Sequence, residues 1–160
     1  MISLYWEFLY SIKYMSNNKL HCLIYVSTTN YRWNEAELKI LLDKARRFNK
    51  ANEITGGLLL YQNKFIQILE GEKESIEKLY KKIILDSRHS NVLTLVNYEI
   101  SARSYKDWSM AFKKVNSKSF KKLSGYVDVD QFVNRTISKG INNPNSFFLK
   151  LFYDKNVRVH

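Results

Sequence analysis

Apolar positions recur along this chain with two different periods. From Leu20 to Ser27 they alternate as in a strand, with Leu23, Tyr25 and Ser27 on one face and Cys22, Ile24 and Val26 on the other. From Asn34 the period lengthens. Leu38, Leu41, Leu42, Ala45 and Phe48 return at helical spacings and mark one face of an amphipathic helix. Asn34 is a good N-cap, Glu37 completes a capping box, and Asn52 is a natural stop. Gly56 and Gly57 open a second strand, Leu58 to Tyr61; the turn Gln62-Asn63-Lys64 reverses the chain into a third, Phe65 to Leu69, which Gly71 ends. A second helix is predicted from about Glu74 to Leu85, with Ile76, Leu79, Tyr80 and Ile83 inward. Val92 to Ile100 and Trp108 to Val115 read as strands four and five, joined by a loop carrying Arg103 and Lys106. Further helices are predicted near Asp128 to Ser138 and Asn145 to Phe152, with Pro144 in a turn between them.

The order β-α-β-β-α-β plus one strand is the split βαβ, ferredoxin-like arrangement, an α+β fold. Right-handed crossovers set both helices on one face of a mixed sheet and bring strands one and three together in its middle. The C-terminal helices are expected on the other face. This divides the chain into an extension at 1–14, one domain at 15–117 and a helical cap or tail at 118–160. The aromatic extension is too short and too interrupted to span a membrane, and it lacks the start and cleavage site of a signal peptide. Met15, followed by Ser16-Asn17-Asn18-Lys19, reads as the natural start, with a genuine N-terminal helix as the alternative; the intact mass of the natively expressed protein distinguishes them.

One residue breaks the apolar pattern of the third strand. Gln67 sits within Phe65-Ile66-Gln67-Ile68-Leu69, and each unpaired polar group of a buried amide costs about 1–3 kcal/mol. The topology makes Tyr25 its neighbour, and Asn49, late in helix one, is placed over the same spot. A protein group or a ligand with its own donors and acceptors must satisfy the amide.

Composition narrows the partners. The chain of 160 residues is 45% apolar, enough for one domain with a sizeable core. A single cysteine, Cys22, excludes an internal disulfide framework and suits a reducing cytoplasm, where the protein is expected. His21, His89 and His160 are scattered and give no metal-ligand spacing. The net charge of +11 raises the prospect of an anionic partner, but the lysines are spread out and read first as a solvated surface.

Laid out this way, the chain resembles the BLUF family of flavin-binding blue-light sensors from about Leu23 to Phe112. The resemblance rests on several motifs in register. These are Leu23-Ile24-Tyr25-Val26-Ser27, then Ala45-Arg46-Arg47-Phe48-Asn49 with Asn52-Glu53-Ile54-Thr55-Gly56. Phe65-Ile66-Gln67-Ile68-Leu69-Glu70-Gly71 follows, then Asp86-Ser87-Arg88-His89 and Trp108-Ser109-Met110. Three features depart from the family: Phe48 where a second polar residue is frequent, Lys82 where arginine or histidine is familiar, and Gly57 with the three leucines before Tyr61, which make that strand look one residue longer with a tighter turn after it.

The resemblance implies a non-covalently bound flavin, FAD in the family, with FMN or riboflavin tolerated because the specific contacts lie at the ring. It implies that Tyr25 and Gln67 are photoactive: Tyr25 gives an electron and a proton to the excited flavin, and Gln67 rearranges its hydrogen bonds. Asn49 pairs with the ring's polar edge, while Ser27, Ile24, Lys82, Asp86, Arg88 and His89 hold the remainder of the cofactor. Trp108, Ser109 and Met110 carry the output, with either Trp108 or Met110 facing the flavin. The protein would signal through an unidentified downstream protein, self-associate, and involve neither membrane nor nucleic acid.

No enzyme constellation accompanies these residues. There is no Gly-rich phosphate loop, no nucleophile beside a base and no paired catalytic carboxylates. The main alternative is a basic ferredoxin-like module that binds RNA through sheet aromatics such as Tyr61, Phe65 and Tyr98. A small phosphate-handling enzyme on the same fold ranks last.

Overall fold

A computed structural model of the chain describes residues 19–115 and position 131. The expected extension at 1–14 and the C-terminal helices lie outside the described residues, apart from Gln131, which is helical. The elements follow the predicted order: β1 (Leu20–Thr28), α1 (Glu35–Ala51), β2 (Thr55–Tyr61), β3 (Lys64–Glu72), α2 (Lys73–Leu85), β4 (Ser90–Glu99) and β5 (Ala111–Val115).

Local chemistry explains the boundaries. At the start of α1 the Asn34 side chain accepts from the Glu37 N–H at 2.9 Å, and the Glu37 carboxylate accepts from the Asn34 N–H at 3.1 Å. This reciprocal box satisfies two of the helix's free donors. Asn52 caps the other end, its N–H donating back to the carbonyls of Phe48 and Asn49. Gln62 takes a left-handed φ of 52° in the tight turn that pairs Tyr61 with Lys64. Gly56, at φ 152°, admits no side chain, since a Cβ there would lie 1.9 Å from the Ile68 carbonyl oxygen.

The five strands form one mixed sheet in the order β4-β1-β3-β2-β5. Its pairs are antiparallel except β2 with β5. β1 and β3 lie side by side in the centre, and Tyr25 stands directly opposite Gln67 in their register. Each face has its own buried layer. On the helix side Leu23, Tyr25, Leu58, Phe65 and Leu69 pack with Leu38, Leu42 and Ile76. On the far side Cys22, Ile24, Val26, Leu59, Ile66 and Ile68 pack with Tyr105. Burial on both faces is why β3 reads as an almost continuous apolar run. Among the described residues, no helix is long and apolar enough to cross a membrane.

β5 starts later than predicted. Residues 108–110 are not strand because their carbonyls serve other donors: Trp108 O accepts from Gly56 N at 3.0 Å, Ser109 O from the Asn49 amide at 2.7 Å, and Met110 O from Arg46 Nε at 3.0 Å. These bonds replace a strand ladder and tie the β4–β5 loop to β2 and α1.

Candidate functional site

The helices and the sheet leave a cavity of about 260 Å³ between them. Leu41, Leu42, Ala45 and Phe48 of α1 and Leu79 and Ile83 of α2 form its apolar walls. Tyr25, Leu58, Phe65 and Gln67 contribute from the sheet, with Met110 beside them. Polar groups converge on it in two places, which is the usual composition of a small-molecule site.

The first polar group is the Tyr25–Gln67 pair. Tyr25 is fully buried, and its hydroxyl donates to Gln67 Oε1. Among the described residues, the partner of Gln67 Nε2 is the Met110 sulfur, at 3.5 Å, and a thioether is a weak acceptor. The amide is therefore well held at its oxygen and loosely held at its nitrogen. Burial, with Tyr80 and Asp86 adding to it, pushes the Tyr25 phenol well above its ordinary pKa, so phenolate is disfavoured. Asn49, only 1% exposed, is the second polar group at this end. Its amide nitrogen donates to Ser109 O, and among the described residues its carboxamide oxygen accepts no hydrogen bond.

The other end of the cavity is charged. Lys44, Lys82, Asp86, Arg88 and His89 line it. Lys82 Nζ stands 4.6 Å from the centre of the Phe48 ring, a cation–π arrangement. Phe48, the departure from the family pattern, thus forms wall and cation seat together. Arg88 Nε reaches both Asp86 oxygens, at 2.9 and 3.1 Å, and these hydrogen bonds hold the Asp86 carboxyl down at about 2 against the opposing effect of its burial. Ser27 Oγ lies 2.9 Å from His89 Nδ1. Burial lowers the His89 imidazole below its ordinary value, with Arg88 acting the same way and Asp86 opposing.

Most of the residues singled out in the sequence line this cavity; Ser27 and Ser109 adjoin it through His89 and Asn49, and two others lie elsewhere. Ile24 is a correction: it is buried in the far layer with Ile66 and Ile68, so its side chain cannot touch a ligand in this cavity. The β1 alternation already places it opposite Tyr25. Trp108 also lies on the far side, packed with Tyr105 at 5.9 Å between ring centres, so it is Met110 that faces the cavity. Sequence reasoning did not single out Arg46, which fixes Met110 through its carbonyl, or Leu58, which stands across from Gln67 in the β2–β3 register. Strand alternation from Leu58 was the available signal for the second; nothing local marks the first.

The chain matches the family model for BLUF, described as sensors of blue-light using FAD, over residues 20–111. That span is more than half of the chain. The chain belongs to the BLUF family. It is 34% identical over 101 residues to photoactivated adenylate cyclase subunit beta of Euglena longa, covering 62% of this chain and 12% of that protein. It is 35% identical over 88 residues to the blue light- and temperature-regulated antirepressor BluF of Escherichia coli K12, covering 54% of this chain and 21% of that one. The chain thus spans only a small part of the length of these curated relatives. Among solved structures, the ground state of BlsA superposes with a TM-score of 0.64 at 34% identity, covering 84% of this chain and 88% of that one. The dark-state BLUF protein BlrB gives 0.61 at 27% identity, covering 77% and 88%.

The RNA-binding alternative fails on the same geometry. A stacking platform needs exposed rings, yet Phe65 is fully buried beneath Trp33 and His89, Tyr61 is buried in the far layer, and Tyr98 is half-buried against that layer.

Proposed function

We propose that this protein is a blue-light photoreceptor that holds FAD between α1 and α2 and registers light as a rearrangement of the hydrogen bonds at Gln67. The observation that carries this reading is the buried Tyr25–Gln67 bond on the wall of the cavity, with the amide nitrogen left to a thioether. The donor set suits a flavin. The apolar walls match a flat ring, Gln67 and Asn49 present amides to its carbonyl and imide edge, and Lys82, Arg88 and Lys44 stand where a phosphate-bearing tail needs cations. FMN or riboflavin satisfies the same ring contacts.

When bound, FAD supplies absorption of blue light and an excited state that takes an electron. The remaining steps belong to the chain. Tyr25 does not give up its proton ahead of the electron, because its burial disfavours phenolate. Gln67 Oε1 is the acceptor in contact with that proton. A rotated or tautomerised Gln67 directs a different group toward the cavity and changes what Met110 meets. Asn49 donates to Ser109 O and would hold the ring edge through its carboxamide oxygen, so the β4–β5 loop and the cofactor would share one anchor.

The response passes to a partner protein through a two-state bias of that loop and the chain beyond it, and no substrate is turned over. A cytoplasmic protein that self-associates fits this reading, as does Ser27 orienting His89 toward the cofactor. The test is the Gln67→Leu variant. It should retain flavin and lose the normal light-induced red shift, and a variant that cycles like wild type contradicts the assignment.

A further inference from the structure

Glu70 lies on β3, three residues beyond Gln67 and on the opposite face of the sheet, where it is completely buried. It does not line the cavity. Its carboxylate accepts from the Ser104 N–H at 3.1 and 2.9 Å and from the Tyr105 N–H at 2.9 Å. Its carbonyl accepts from Arg103 Nη1 at 2.6 Å, and Arg103 also reaches Thr55 Oγ1 at 3.1 Å. A carboxylate taken fully out of water is costly unless its oxygens are paired, and here the backbone of the β4–β5 loop pairs them.

From this clamp the backbone of the β4–β5 loop leads to the cavity, tied by hydrogen bonds along the way. Trp108 N donates to Tyr105 O at 3.0 Å, and Trp108 O accepts from Gly56 N. Ser109 O accepts from Asn49, Met110 O from Arg46, and the Met110 sulfur meets Gln67 Nε2 at 3.5 Å. This path begins and ends on one strand, with Glu70 gripping the loop from the far face and Gln67 touching its end on the cavity face.

We propose that Glu70 is a positioning residue that, through the backbone of the β4–β5 loop, presents Met110 and the Ser109 carbonyl to Gln67 and Asn49. The functional half of this inference rests on the photoreceptor reading above; the structural half does not. A displacement of Met110 on one face is resisted, or transmitted, by the two N–H bonds on the other. Cys22, opposite Glu70 across the β1–β3 pair, and Tyr98, whose phenol is pushed up to about 12 by burial first and then by Cys22 and Glu70, also stand on this face near the carboxylate.

The experiment compares wild type, Glu70→Gln and Arg103→Ala, with and without flavin. Arg103→Ala loosens the same end of the loop at the Glu70 backbone carbonyl, leaves the carboxylate's bonds in place, and is the variant to use if Glu70→Gln does not fold. The readouts are the Met110 methyl resonance by NMR and the rate of dark recovery after blue light. Both variants should shift the Met110 resonance even without flavin. With flavin, they should keep the dark absorbance maximum and change the recovery rate about tenfold, equivalent to about 1.4 kcal/mol. A merely structural glutamate lowers the melting temperature and leaves the Met110 resonance of the folded form in place; that result, with unchanged recovery, overturns the proposal. Wild type that takes up no flavin would overturn the photoreceptor reading instead, while the Met110 shift in flavin-free protein still decides the positioning role.

Discussion

Removing either partner of the Tyr25–Gln67 bond leaves the other buried, and the two losses should not be equal. In Gln67→Leu the Tyr25 hydroxyl stays fully enclosed without an acceptor; a buried polar group so stranded costs about 1–3 kcal/mol, and this site belongs at the upper end. In Tyr25→Phe the stranded group is Gln67 Oε1. Gln67 is 7% exposed and borders the cavity, where water can reach it in flavin-free protein. That cost belongs at the lower end, about 1 kcal/mol. The double variant removes both groups and should cost less than the sum of the singles by about 1–2 kcal/mol, a coupling of the size expected for residues in direct contact. Urea unfolding of the four flavin-free proteins measures the cycle, because the midpoint shifts at constant slope when only stability changes. Additive losses, or a larger loss in Tyr25→Phe than in Gln67→Leu, would refute the buried bond as the link between these residues.

Other consequences follow from the same geometry. Asn49→Ala removes the donor to Ser109 O and the carboxamide oxygen at the cavity; flavin occupancy after purification should fall, and unchanged occupancy counts against its place at the ring edge. Gly56→Ala drives a Cβ into the Ile68 carbonyl at a positive φ, so the loss of stability should exceed the roughly 1–3 kcal/mol of backbone strain alone, as read by chemical denaturation. His89 has a lowered pKa in the folded protein, so the unfolded chain takes up the proton first as pH falls below about 6.5. Stability is therefore fully present above that pH and is lost as pH falls through the folded value. His89→Gln should remove this part of the slope between neutral and acidic pH, and equal slopes in variant and wild type would sink the argument.

Much of the site was legible because its residues obey local rules. The Asn34–Glu37 box marks where α1 starts, strand alternation places Tyr25 and Gln67 on one face, and the split βαβ order makes β1 and β3 neighbours. Ile24 was misplaced because a motif was carried over whole, although its own alternation set it on the far face. The start of β5 was not legible: Trp108, Ser109 and Met110 have strand-like composition, but Gly56, Asn49 and Arg46 take their carbonyls from distant parts of the chain. The same long-range bonds decide that Met110 rather than Trp108 faces the cavity. Glu70 stands in the β3 motif, but its role is not legible there, because a carboxylate in an apolar strand becomes informative only when its partners, the N–H groups of Ser104 and Tyr105, are known.

The central claim is tested most directly by the visible absorption spectrum of the purified protein, taken in the dark, after blue light and during recovery. The expected result is a bound flavin whose absorption moves slightly to the red on illumination and returns in the dark. A protein that remains colourless after reconstitution with FAD, or a bound flavin whose spectrum blue light leaves unchanged, would contradict it.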